Sequence, residues 1–281
     1  MLRTQSAVRS LAAGDQDEAL AVCARDPVAN AFVAARILEG ALVAQPGALL
    51  GYEGDRGLDA LCWTSANLVP VQADGTALRA FAGRTRRWRR QCSSVFGPAD
   101  QVLPLWRQLT SAWGTARSIR SVQPLLAMSG PPRGRGVRID DAVRRAGRHE
   151  LDLVVPAAAA MFTEEIGVPP YRGSDIAYRQ SVEALITRGH TFVRILDNQV
   201  VFKADVGSVA GGVAQIQGVW VAPSHRGQGM AGPAMAAVVE QVQAEIAPVV
   251  SLYVNDFNGP ARAAYRGVGF TEVGTFATVL L

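Results

Sequence analysis

Apolar residues recur along this chain with two different periods. Short strand-type runs, at residues 218–222 and 252–254 and again from Phe270, alternate with segments where they return every third or fourth position. The clearest segment lines up Ala234, Met235, Val238, Val239, Val242 and Ile246, and predicts a helix that opens near Met230 and packs on a sheet. A shorter helix is predicted to start at Asn258, a residue suited to an N-cap, with Pro260 in its first turn and Gly267 and Gly269 to stop it. Asn258, Ala261 and Tyr265 then share one face. The order strand, loop, helix, strand, short helix, strand predicts an α/β domain with a mixed sheet. In the first half, helix-like residues 16–42 precede strand-like residues 49–54, 58–65 and 91–97 and a further helix over residues 100–113. That order repeats the second half and is compatible with a degenerate copy of it.

The segment joining the 218–222 strand to its helix runs Pro223-Ser224-His225-Arg226-Gly227-Gln228-Gly229. Gly227 and Gly229 allow the backbone to curl with its amides pointing inward. The helix start adds unpaired N–H groups and a partial positive charge, so the segment suits a pyrophosphate. An ordinary strand-turn-helix link can also hold Gly-x-Gly. The spacing excludes two other phosphate loops, because it lacks both the Gly-Lys-Ser/Thr ending and the Gly-x-Gly-x-x-Gly pattern. The only lysine of the chain, Lys203, lies elsewhere.

Arg-x-x-Gly-x-Ala at residues 226–231, followed by Asn-x-x-Ala-x-x-x-Tyr-x-x-x-Gly-Phe at residues 258–270, resembles the GNAT superfamily of acyl-CoA-dependent N-acyltransferases. FTEEIG, VVFKADVG, AQIQGVWV and LYVNDFN together resemble an actinobacterial group that carries an uncharacterised domain ahead of the GNAT domain. The resemblance implies a GNAT fold in the C-terminal half, with acetyl-CoA as cosubstrate and no metal. It implies that the pantetheine arm lies along the main chain of Val219, Trp220 and Val221, with a bulge at Gly218 supplying an amide to the thioester oxygen. Arg226, Gly227, Gln228, Gly229, Met230, Ala231 and Gly232 would hold the pyrophosphate, and Asn258 also belongs to the cofactor site. Tyr265 occupies the position of the proton donor to the departing thiolate. Many members place a glutamate on the bulged strand, but here Gln215 and Gln217 stand at the plausible positions, and neutral amides accept no proton at pH 7. The base is then sought among Glu164, Glu165 and Asp205, and Glu165 is taken, with a water relay as an alternative. The expected reaction is acetyl transfer to a primary amine of an unidentified acceptor, small molecule or protein. The competing class is a non-catalytic acyl-CoA-binding sensor.

Composition changes this picture little. The chain has 281 residues, 49% of them hydrophobic, which is enough for one large or two modest domains. A boundary is expected at residues 129–136, where paired prolines and three glycines interrupt both periods, giving domains 1–130 and 137–281. The first domain lacks an Arg-x-x-Gly-x-Ala loop, Gly97-Pro98-Ala99-Asp100 standing where one is sought, so a structural or acceptor-shaping role is expected of it. Charge divides at the same place. Residues 1–136 hold 16 arginines against 10 acids, net +6, and the rest 12 basic residues against 14 acids, net −2, which sum to the chain's +4. The densest run, Arg84, Arg86, Arg87, Arg89 and Arg90 around Trp88, reads as a solvated helix edge, and nucleic acid is not an expected partner. Cys23, Cys62 and Cys92 form neither a disulfide framework nor a metal-ligand pattern. The N-terminal residues lack a signal-peptide core and no run is long enough to span a membrane, so a cytoplasmic protein is expected, of unknown oligomeric state.

Overall fold

A computed structural model describes residues 7–281 apart from 56, 89–91 and 133–136. Part of the expected boundary stretch therefore lies outside the described residues. Two compact units are present, and neither is a continuous half of the chain. Unit 1 comprises Met1–Leu126, Tyr253–Phe257 and Glu272–Leu281, and unit 2 comprises Ala127–Leu252 and Asn258–Thr271.

In chain order, unit 1 holds β1 (Val8–Ser10), α1 (Gln16–Cys23), α2 (Ala31–Leu38), α3 (Ala41–Ala44), β2 (Leu49–Gly54), β3 (Gly57–Thr64), β4 (Asn67–Val71), α4 (Gly75–Thr85), β5 (Ser94–Pro98), α5 (Ala99–Trp113) and most of β6 (Ser118–Met128). The helix anticipated over residues 16–42 is broken into three pieces. Pro27 has no N–H to continue the first, and Gly40 takes a left-handed φ of +83° between the second and third. The final strand of the chain, β12 (Thr271–Leu280), pairs antiparallel with β5 and lies between β5 and β6. Its Ala277 and Val279 join Phe81, Leu105, Leu109 and Trp113 in the core of this unit. Each large apolar side chain buried there contributes about 1.5–3 kcal/mol. Cys23, Cys62 and Cys92 are free thiols packed as small apolar groups, and burial pushes Cys23 up to about 12 and Cys92 up to about 11.

Unit 2 holds β7 (Arg144–Arg145), α6 (Leu151–Ile166), α7 (Ile176–Thr187), β8 (Thr191–Leu196), β9 (Gln199–Ala210), β10 (Val213–Val221), α8 (Ala231–Glu245), β11 (Val249–Tyr253, its last residue in unit 1) and α9 (Gly259–Val268). The sheet order is β11-β10-β9-β8-β7. The β10–β11 pair is parallel and joined through α8, and the other neighbours are antiparallel. The anticipated stripe on α8 is buried from Ala234 to Val242, whereas Ile246 falls just past the helix as its C-cap. Against the opposite face, α6 and α7 close a second core of Val154, Val155, Val182, Ile186, Val193 and Val200. Among the described residues, no helix is long and apolar enough to cross a membrane.

The first turn of α6 is anchored by Glu150, which is 6% exposed and accepts from Arg144 Nη1 (2.8 Å), Arg144 Nη2 (2.7 Å) and the Gly147 amide (2.7 Å). Those donors hold its carboxyl down at about 2, well under its ordinary 4.5. Because the folded state lowers this value, the stabilisation is complete above the ordinary carboxylate range and is lost as pH falls toward 2. Glu150→Gln is expected to cost about 1–3 kcal/mol in urea unfolding near pH 7, and the gap to wild type should narrow steadily as pH is lowered from the ordinary carboxylate range toward 2.

Candidate active site

The site begins where two strands part. Parallel pairing of β10 with β11 covers Val213–Val249, Ala214–Val250 and Gln215–Ser251, and no pairing is registered between the strands beyond it. On the other edge, Gln217 stands opposite Asp205 and Trp220 opposite Lys203, three steps on β10 against two on β9. This is the bulge expected at Gly218, whose φ is +59°. A Cβ at Gly218 would lie 2.9 Å from Met161 Cε, the flexible end of that side chain, 3.2 Å from Asp205 Oδ2 and 3.3 Å from Lys203 Nζ, so the space is tight, but it is the left-handed conformation that favours glycine.

Beyond β10, Pro223–His225 make one 3₁₀ turn, tightened by Ser224 Oγ against His225 Nδ1 (3.0 Å). Gln228 Nε2 donates to Ser224 O (2.9 Å). Gly227 and Gly229 have φ of +74° and +73°, yet a Cβ on either would meet nothing within 4 Å. The loop therefore needs glycine for its curl and not for room. Amides of Gly227, Gln228, Gly229, Met230, Ala231 and Gly232 make no hydrogen bond to another described residue, and α8 has no side-chain cap. Six donors without a partner among the described residues, four ahead of α8 and two in its first turn, make an electropositive helix end of the kind that can accept an anion.

The Arg226 side chain behaves differently. Its Nε donates to Val221 O (2.9 Å) and its Nη2 to Glu164 Oε2 (2.6 Å), while Trp220 Nε1 donates to Glu164 Oε1 (3.2 Å). Glu164 is thus a tie between the loop, the outer end of β10 and α6, a link that no local sequence signal announces. Asn258 Oδ1 accepts from the Ala261 amide (3.2 Å), the capping role read from its spacing.

Tyr265 is 6% exposed and stacks edge-on against Phe270, ring centroids 6.0 Å apart. Burial raises its phenol well above the ordinary value, and the negative charge of Glu165 raises it further, so the group stays protonated at neutral pH. The same electrostatic effect brings Tyr265 and Glu165 into one neighbourhood, although one lies on α9 and the other on α6. Under the bulge, Lys203 and Asp205 form an ion pair with side chains 1% and 7% exposed, and Lys203 Nζ lies 3.5 Å from Gly218 O. Lys-x-Asp in an apolar strand places both on one face by the two-residue period, which is the signal that finds the pair. Above it, Tyr178 is pushed up to about 12 by burial and then by Asp205 and Tyr171. Of the two glutamines, Gln215 is buried with its amide nitrogen unpartnered, and Gln217 is exposed beside Gly207.

Unit 1 contains the same parallel β4–α4–β5 unit, so the counterpart of the anion loop is residues 72–74. This corrects the placement at Gly97-Pro98-Ala99-Asp100, which joins β5 to α5. Strand pairing shows which crossover is equivalent, and a linear pattern does not. Asp74 Oδ1 there accepts from the amides of Thr76 (2.9 Å) and Ala77 (2.8 Å). A carboxylate of the chain itself already occupies the end of α4. The arginine run follows α4, with Arg84, Arg86 and Arg87 exposed and Arg89 and Arg90 outside the described residues. Among the described residues, no three metal-ligating side chains cluster.

Residues 160–270 match the acetyltransferase (GNAT) family, and residues 47–154 match DUF4081, a domain of unknown function. No curated protein matches the chain. A GCN5-related N-acetyltransferase from Sphaerobacter thermophilus is similar in structure, with a TM-score of 0.64 at 15% identity over 97% of this chain and 95% of that one. A GNAT-family acetyltransferase from Colwellia psychrerythraea has a TM-score of 0.55 at 15% identity, over 98% and 99%. A tandem GNAT protein from the clavulanic acid biosynthesis pathway has a TM-score of 0.53 at 16% identity, over 97% and 98%. These likenesses show the fold.

Because the Tyr265 hydroxyl bonds to no other described residue, Tyr265→Phe removes no hydrogen bond within the fold. Its unfolding free energy near pH 7 is expected to stay within about 0.5 kcal/mol of wild type, measured by urea titration.

Proposed function

We propose, on the premise that this chain carries a GNAT acetyltransferase domain over residues 160–270 and is an acyltransferase, that it moves an acetyl group from acetyl-CoA to a primary amine by direct attack in a ternary complex. The observation that carries this reading is the run of six amides, Gly227 to Gly232, that find no partner among the described residues, at the end of a strand that bulges at Gly218 and has parted from β11. Amides of Gly227, Gln228, Gly229, Met230, Ala231 and Gly232 take the pyrophosphate. The pantetheine arm follows the main chain of Val219, Trp220 and Val221 where β10 has left β11, with Arg226 holding the loop and Asn258 shaping α9 beside it.

The acceptor nitrogen, as free amine, forms the C–N bond at the thioester carbon. The oxygen gains charge and is met by the amide of the bulge. As the C–S bond breaks, the ammonium proton passes to Glu165 and the Tyr265 phenol supplies one to the thiolate, leaving an amide and coenzyme A. The raised phenol of Tyr265 suits a proton donor that must stay protonated until the thiolate forms. The acceptor is a small-molecule or protein amine, and the site of action is the cytoplasm. The competing reading, an acyl-CoA-binding sensor without turnover, is favoured by one observation, the neutral Gln215 and Gln217 on β10.

A mass-spectrometric screen of acetyl-CoA with amines, aminoglycosides, amino-acid derivatives and peptides separates the two. Acceptor-dependent release of coenzyme A that falls on the order of 10²-fold in Tyr265→Phe, and similarly in Glu165→Gln, is expected. Tight binding of acetyl-CoA with no acceptor found, and no effect of either substitution, would leave the sensor.

A further inference from the structure

The chain uses lysine once and buries it. Lys203 Nζ donates to Asp205, and the other oxygen of Asp205, Oδ1, is buried without a hydrogen-bond partner among the described residues. A buried ion pair with an unsatisfied oxygen is a poor source of stability, since desolvating two charges roughly cancels their attraction. Its location is more telling than its energy. The pair sits at the second of the two register shifts between β10 and β9, the one between Gln217 and Trp220, on the side of Gly218 where a Cβ would be crowded.

We propose that Lys203, steadied by Asp205, is a positioning residue that aims the amide between Gly218 and Val219 at the thioester oxygen. The ammonium lies 3.5 Å from Gly218 O and attracts that carbonyl toward the pair. In a trans peptide the C=O and the following N–H point in opposite directions, and no peptide bond of the described chain is cis. Fixing the Gly218 carbonyl on the Lys203 side therefore turns the Val219 N–H away from it. Gly218, already at a φ of +59° and without a Cβ, leaves its own ψ soft, and that rotation would otherwise let this peptide plane turn. An oxyanion donor works only when its direction is set before charge develops. The charge of Lys203 also polarises the peptide, making the Val219 N–H a stronger donor. Asp205 keeps the ammonium from swinging elsewhere and cancels its charge over longer distances.

This rests on the acetyl-CoA reading, and the test separates the two. Acetyl-CoA labelled with ¹³C at its carbonyl is bound to the full chain, and the thioester stretch is read by difference infrared spectroscopy, which needs no acceptor. Binding is followed by calorimetry, and slow release of coenzyme A to water gives kcat and KM. In wild type, the stretch is expected below that of free acetyl-CoA. Lys203→Met leaves Asp205 alone in the interior, so the Lys203→Met/Asp205→Leu double variant, which removes both charges, is measured beside it. The double variant is expected to keep its melting temperature and to bind acetyl-CoA within about threefold of wild type, because the loop amides are untouched. Its thioester stretch should return to the free value, and kcat should fall about 10- to 100-fold with KM little changed. Failure of the wild type to bind acetyl-CoA would remove the acyl-CoA reading itself. Binding with a lowered stretch and full turnover in the double variant would overturn the clamp alone. Loss of fold in that variant would assign the pair to stability, and an unshifted wild-type stretch would exclude the amide as donor; either also overturns the proposal.

Discussion

Backbone N–H groups that leave a sheet or begin a helix must find a partner, and in unit 2 the chain gathers such groups without supplying one. They lie in two stretches, the edge of β10 that leaves β11 after Gln215 and passes the bulge at Gly218, and the amides of residues 227–232; between them the amides of Ala222, His225 and Arg226 donate to Val201 O, Ala222 O and Pro223 O. Everything else in the unit keeps both stretches in place. The α8 core fixes the helix whose first turn closes the second, and the Glu150–Arg144 anchor fixes α6, from which Glu164 reaches Arg226 and Trp220. The backbone donates while packed side chains fix the strand and the helix that carry it, so the direction of the donors is largely set in advance.

Unit 1 carries the same crossover with its helix end capped from within. Its β4–α4–β5 crossover repeats β10–α8–β11, but Asp74 satisfies the amides of Thr76 and Ala77 internally. One carboxylate accepts the bonds that a phosphate would otherwise accept, and a second anion brought to that helix end would meet its charge. The repeat in element order is thus a repeat of the crossover, with an internal cap at the helix start in unit 1 and, among the described residues, unpartnered amides at the helix start in unit 2.

Much of the site was legible because its chemistry is local. Gly-x-Gly between a strand and a helical stripe implied inward amides, and Asn258, Ala261 and Tyr265 on one helical face implied a capped helix, because both follow from spacings of a few residues. Gly218 was legible as a bulge for the same reason, since glycine inside an apolar strand marks a break in pairing. Other features depend on residues far apart in sequence. Glu164 and Arg226 are separated by 62 positions, and neither the pattern around Glu164 nor that around Arg226 distinguishes a tie from two surface charges. The equivalent loop of unit 1 was misplaced by one crossover, because only strand pairing shows that β4 and β5 are the parallel pair.

The sequence by itself determined the α/β order of elements, the glycine turn ahead of α8, the capped helix carrying Tyr265 and the neutral glutamines on the bulged strand, all consequences of backbone and side-chain preferences acting within a few residues. Only the tertiary structure decided that β12, the last strand of the chain, lies between β5 and β6 of the first unit, that Lys203, paired with Asp205, lies near the Gly218 carbonyl, and that Tyr265 lies within the electrostatic reach of Glu165. Strand partners and buried charges are settled by which surfaces exclude water together, and that is a property of the packed chain and not of any segment of it.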